Sequence, residues 1–197
     1  MPMIDADGCL LNVTVEGRDG PTLMLSNSLG STMQMWEPQM RAFAQLFRVI
    51  RYDRRGHGKS QVPPGPYSIE RFGRDALAIL DDLNIEKVHW CGVSMGGMVG
   101  QWLAAHAPER IGKLVLANTA CYYPDPAIWD ARIKAVQDSG LAGIADTVIA
   151  GWLTQEFRDA NPDIADRMKA MLVATPVEGY LACCAALRAL DLREDIP

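Results

Sequence analysis

Residues 89–98, His89-Trp90-Cys91-Gly92-Val93-Ser94-Met95-Gly96-Gly97-Met98, place a serine between two glycines at the spacing G-x-S-x-G. Upstream, Lys87 to Cys91 reads as a short strand. Downstream, residues 95–107 read as a helix stopped by Pro108. A serine on a tight strand-to-helix turn is strained, and glycines on both sides let the backbone fold closely around it. Its Oγ then stands clear of the sheet at a helix N-terminus, where amides favour developing negative charge. Ser94 is the candidate nucleophile. A chance match to the motif is the alternative, and the strand–motif–helix context weighs against it.

The chain around this turn alternates strands with helices. Residues 10–16, 22–27, 47–53 and 113–118 have strand character. Residues 36–47 and a segment from Ser68, with Phe72, Ala76, Ile79, Leu80 and Leu83 on one face, have helical spacing. Apolar strand interiors between helices imply an α/β fold, a mostly parallel sheet covered on both faces. From about Pro124 the pattern changes. Residues 127–138, 140–153, 163–173 and 177–190 are all helical in spacing. The expected organisation is therefore 1–123 as the α/β part, 124–190 as a helical appendage, and 191–197 as the start of a return to the sheet.

Composition excludes several function classes. The 197 residues carry 49% hydrophobic and 22% charged side chains and a net charge of -5, which gives no general attraction to nucleic acid or anionic membranes. No apolar run reaches the roughly 18–20 residues of a membrane span, and Met1 to Leu10 lacks the pattern of a secretory signal. Cys9, Cys91, Cys121, Cys183 and Cys184 show no C-x-x-C spacing and read as buried small hydrophobes in a reducing compartment. A cytoplasmic protein without metal or cofactor is expected. Asp53 to Ser60 ends in Gly-Lys-Ser like a phosphate loop, but Asp53 stands where its first glycine is required. A dinucleotide fingerprint would likewise need glycine at Ser94.

A serine nucleophile needs amide donors for the oxyanion it generates. Met95, the residue after it, supplies one N–H. The loop after the 22–27 strand, Ser28-Leu29-Gly30-Ser31, supplies the second, with the Leu29 N–H as candidate. At this point Ser26 to Gly30, Met35 to Gln39, Tyr52 to Ser60 and Gly92 to Gly97 together resemble the α/β-hydrolases. More narrowly they resemble the 3-oxoadipate enol-lactonases of aromatic catabolism, in which Ser-Leu-Gly replaces the commoner His-Gly of the oxyanion loop. The resemblance implies that residues 124–190 are a helical cap over the active site. It also implies a carboxylic-ester hydrolase that opens a lactone carrying a carboxymethyl group to give 3-oxoadipate.

The base and acid of such a triad follow the serine in chain order, after the cap. Here the chain reaches only Asp195-Ile196-Pro197, so neither stands at its family position. The sequence is expected to be part of a longer protein, and on its own to be nearly inactive. His57, in Arg-Gly-His-Gly, has an implied structural role. His89 and His106 read as packed or surface residues; Asn118, an amide, cannot stabilise an imidazolium as the acid would, and Asp125 is a weak candidate for that role. In the cap, Trp129 and Arg132 lie three apart on one helix; Arg132 is the candidate for the substrate carboxylate, with Trp129 and Trp152 as apolar walls. A surface arginine and core tryptophans remain the alternative. So do another hydrolase of the superfamily (esterase, C–C hydrolase or perhydrolase) and a non-catalytic binding module. The partner is a small molecule, and the sequence leaves the oligomeric state open.

Overall fold

The structure is a computed structural model that describes residues 3–196. Six strands form one sheet: β1 (Met3–Asp5), β2 (Leu10–Gly17), β3 (Thr22–Ser26), β4 (Arg48–Tyr52), β5 (Val88–Val93) and β6 (Ile111–Ala117). Their order is β1-β2-β4-β3-β5-β6, with β1, β2 and β4 joined antiparallel and β4, β3, β5 and β6 parallel. The helices are α1 (Glu37–Phe43), α2 (Ile69–Asp82), α3 (Met95–His106), α4 (Ala127–Trp152), α5 (Gln155–Ala160), α6 (Pro162–Val173) and α7 (Val177–Arg188).

Two apolar layers sandwich the parallel strands. On one face Leu23, Leu25 and Val49 meet Trp36 and Met40 of the α1 region. On the other, Met24, Ile50 and Trp90 meet Phe72, Ala76, Ile79 and Leu80 of α2 and Met98, Val99 and Leu103 of α3. Both layers follow from the two-residue period of the strands. The connection after β3 runs to the first face and the helix after β5 to the second. Because β3 and β5 are neighbours, their carboxyl ends diverge and leave a crevice, the place where open α/β sheets bind ligands.

Ser68 caps α2 by accepting from the Arg71 N–H at 3.0 Å, as its position before the apolar face implies. Four details differ from the sequence reading. The 36–47 helix is shorter, with a 3-10 turn at Met33–Trp36 feeding α1. The segments 127–138 and 140–153 form one run, α4, broken only at Gly140, whose φ is 66°. Strand β1 and helix α5 carry too few residues, 3 and 6, for periodicity to register. Cys9, Cys183 and Cys184 are buried, but Cys91, opposite Val115 of β6, and Cys121, beyond the end of β6, are only half-buried.

Strand β6 is an edge among the described residues: it pairs with β5 alone, and Val115 and Leu116 are 54% and 41% exposed. After α7 the chain turns back, with an antiparallel bridge between Tyr122 and Asp191 and the Leu192 N–H donating to Cys121 O at 2.9 Å. No single helix among the described residues is long and apolar enough to cross a membrane.

Candidate active site

Ser94 sits at the carboxyl end of β5 with φ 54° and ψ −117°, a conformation that costs an L-residue of order 1–3 kcal/mol. The flanking glycines permit it. A Cβ on Gly92 would overlap the Gly96 carbonyl, and one on Gly96 would overlap Ser26 O at the end of β3. The turn is fastened on three sides. The Ser94 N–H donates to Ala117 O at 2.9 Å, Thr119 Oγ1 donates to Ser94 O at 2.7 Å, and Trp90 Nε1 donates to Gly96 O at 3.0 Å. These bonds hold the strained serine in place.

The loop after β3 faces this turn. Its Ser28 N–H points at Met35 Sδ (3.4 Å), its Gly30 N–H donates to His57 Nε2 (2.9 Å), and its Thr32 N–H points at Met171 Sδ (3.2 Å). Among the described residues the N–H groups of Leu29, Ser31 and Met95 find no acceptor within the protein, although all three residues are buried. Buried amides are nearly always paired, so unpaired donors beside Ser94 are available to an incoming oxygen.

Charge beneath the loop is arranged by burial. Arg54 is wholly buried over the Phe72 ring and donates to Asn27 O, leaving Nε and one Nη without a partner. His57 is also wholly buried. Burial first, and then the Arg54 charge, push its imidazolium down to about 3, so the ring is neutral at pH 7 and Nε2 can accept from Gly30. Arg55 is anchored to Asp75 on α2 by two 2.6 Å bonds. Asp53 organises the loop: its carboxylate accepts from Met33 N, Asn12 Nδ2 and Lys59 N at 2.8–3.0 Å.

Above Ser94 lies a cavity of about 330 Å³. Ser28, Ser31, Met35, Val93 and Asn118 line it from the sheet side, and Gly151 and Trp152 of α4 and Met168 of α6 line it from the helices. Trp152 therefore lines the same cavity as Ser94. Trp129 and Arg132 do not line this cavity. Trp129 meets the Tyr123 ring edge-on at 5.3 Å, and Arg132 donates to Tyr180 Oη at 3.2 Å. Tyr180 in turn packs against Gly30, so Arg132 reaches the Ser28–Ser31 loop through that ring.

Among the described residues Ser94 Oγ has no hydrogen bond to any histidine. His57 is committed to Gly30, His89 Nδ1 accepts from the Lys113 N–H (3.0 Å), and His106 stacks on Trp102 and lies 3.4 Å from Asp195. Asp125 accepts from the Ala127 N–H at the start of α4 (2.9 Å). Met35, Met168, Ser28, Ser31 and Thr119 carry no motif of their own. Only the loop position of the two serines, next to Leu29, pointed toward the site.

A family model described as the alpha/beta hydrolase fold matches residues 21–170. The chain belongs to the α/β-hydrolases. Its relatives include 3-oxoadipate enol-lactonase 2 of Acinetobacter baylyi, 41% identical over 98% of this chain and 73% of that protein. Enol-lactonase 1 of the same organism is 38% identical over 96% and 71%. The crystal structure of the enol-lactonase from Burkholderia xenovorans superposes on this hydrolase with a TM-score of 0.95 and 38% identity, covering 98% of this chain and 76% of that one.

Proposed function

We propose that the chain is the nucleophile-bearing part of a serine hydrolase for lactones or carboxylic esters, with 3-oxoadipate enol-lactone as the substrate. The observation that carries this reading is the strained Ser94 facing unpaired amides across the β3–β5 crevice. In this reading Ser94 Oγ attacks the ring carbonyl carbon and loses its proton to a base. The oxyanion rests between the Leu29 and Met95 amides, and the ring C–O bond breaks. The released enolate takes up a proton and tautomerises to the ketone. Water then cleaves the acyl-Ser94 ester to give the diacid. No histidine among the described residues reaches Ser94, so acylation by this chain alone is expected to be slow.

Trp152 serves as an apolar wall in this reading. Arg132 is assigned to the substrate carboxylate, with Trp129 beside it, which requires Arg132 to exchange its Tyr180 bond for the ligand. A second reading, hydrolysis of uncharged esters, is favoured by one observation: no residue lining the Ser94 cavity is charged.

The test is mass spectrometry of the chain after incubation with 4-nitrophenyl acetate and, separately, the enol-lactone. Slow acylation of the peptide carrying Ser94, accumulating over a prolonged incubation and absent in Ser94→Ala, is expected with both reagents. Acylation elsewhere, or by neither, overturns the reading, and acylation by the ester alone selects the second.

A further inference from the structure

A second cavity, of about 450 Å³, lies between the α1 region and α6. Its walls are Met35, Pro38, Ile164, Met168 and Met171, and Gln34, Glu37 and Arg167 stand at its polar edge. Met35 and Met168 line this cavity and the Ser94 cavity alike. Two thioether side chains therefore form the partition between the reaction centre and a second apolar space. Methionine is unbranched and repacks readily, so a partition built from it yields to a ligand more easily than one of branched or aromatic side chains.

We infer that the second cavity is an extension of the reaction site that accepts the unbranched aliphatic arm of an ester other than the enol-lactone, admitted when Met35 and Met168 swing apart. This rests on the acyl-transfer reading of the Ser94 cavity, although binding itself needs no chemistry. Length and apolarity are what the space selects. Glu37 and Arg167 carry opposite charges, so the outer edge gives no net preference for an anion or a cation. Glu37 is moreover engaged by Arg51 at 2.8 Å. Pro38 and Ile164 present rigid walls on either side, which suits a straight chain better than a branched one.

The experiment uses the whole chain labelled with ¹³C-methyl methionine and titrated with 1-alkanols from butanol to octanol. The methyl signals of Met35, Met168 and Met171 are expected to shift, with affinity rising up to roughly fourfold per added methylene. Ile164→Trp, which fills the second cavity without touching the Ser94 cavity, is expected to abolish the dependence on length. Unshifted Met24 and Met98 signals verify that this variant is folded, since both are core residues. Leu116→Asp, on the exposed β6 side, is expected to change nothing. Affinity independent of chain length, or length dependence that survives Ile164→Trp or disappears in Leu116→Asp, overturns the inference. Length dependence without acylation of Ser94 refutes only the catalytic reading; acylation without length dependence refutes only the extension.

Discussion

The Gly30 N–H donates to His57 Nε2 at 2.9 Å, so a buried imidazole holds the turn that carries the Leu29 amide. The bond requires an unprotonated Nε2. His57 protonates only near pH 3 in the folded chain, against its ordinary 6.5, because burial and Arg54 oppose the charge. The unfolded chain thus takes up a proton that the folded chain refuses. Stability from this group is complete above about pH 6.5 and declines as pH falls toward 3, by at most about 1.4 kcal/mol per pH unit. Urea midpoints between pH 7.5 and 4 should fall less steeply for His57→Gln than for the wild type. Parallel slopes would rule out the histidine as the source.

Backbone strain at Ser94 gives a second expectation. Glycine adopts φ 54°, ψ −117° without penalty, so Ser94→Gly should stabilise the fold by about 1 kcal/mol while abolishing acylation. A chain of this size should then melt about 2–4 °C higher. Ser94→Ala, which keeps the strain, should leave the melting temperature nearly unchanged. Equal melting temperatures for Ser94→Gly and the wild type would mean that the turn is not strained.

The Arg55–Asp75 pair fixes the loop that carries His57 to α2. Asp75→Asn leaves a buried guanidinium without its counter-charge and should cost about 3–5 kcal/mol. Chemical denaturation measures this directly. A loss below 1 kcal/mol would show that the loop is held by packing alone.

The exposed edge of β6 should be adhesive. Val115 and Leu116, one toward either face of the sheet, are exposed on a strand that is an edge among the described residues, an arrangement that favours strand-to-strand association. Light scattering of the chain should rise with concentration, and Val115→Lys should suppress the rise. Identical curves would place any association elsewhere.

Arg132→Ala should raise KM for the anionic lactone several-fold while leaving uncharged esters unaffected, provided Arg132 leaves Tyr180 to meet the carboxylate. An unchanged KM would remove it from the substrate side. Because the Arg132 bond ends on the ring that packs against Gly30, the kcat of both substrates is the control for indirect effects.

What the sequence disclosed follows from how local each constraint is. The strand–Gly92-x-Ser94-x-Gly96–helix pattern is legible because the steric conflict it relieves lies within five residues and against the next strand. Ser68 was legible as a cap for the same reason: donor and acceptor are three residues apart. By contrast, Thr32 meets Met171 and Arg132 meets Tyr180 only after the α4–α7 helices fold over the sheet, and no spacing rule encodes such pairs. The thioether partition was invisible for a further reason. Methionines at helical spacing read as generic core, and only the placement of two cavities shows that Met35 and Met168 separate anything.

The Ser94 cavity draws its floor and its roof from different parts of the chain: Ser94 and the unpaired amides from β3, β5 and their loops, Trp152 and Met168 from the later helices. In the acyl-transfer reading, chemistry and selectivity therefore belong to physically separate parts of the chain. Grafting residues 127–173 from another member of the family onto this elbow would transplant a preference for one acyl group over another without re-engineering the reaction. The same division means that a lineage can explore new substrates by drift in its helices while the strained serine stays put.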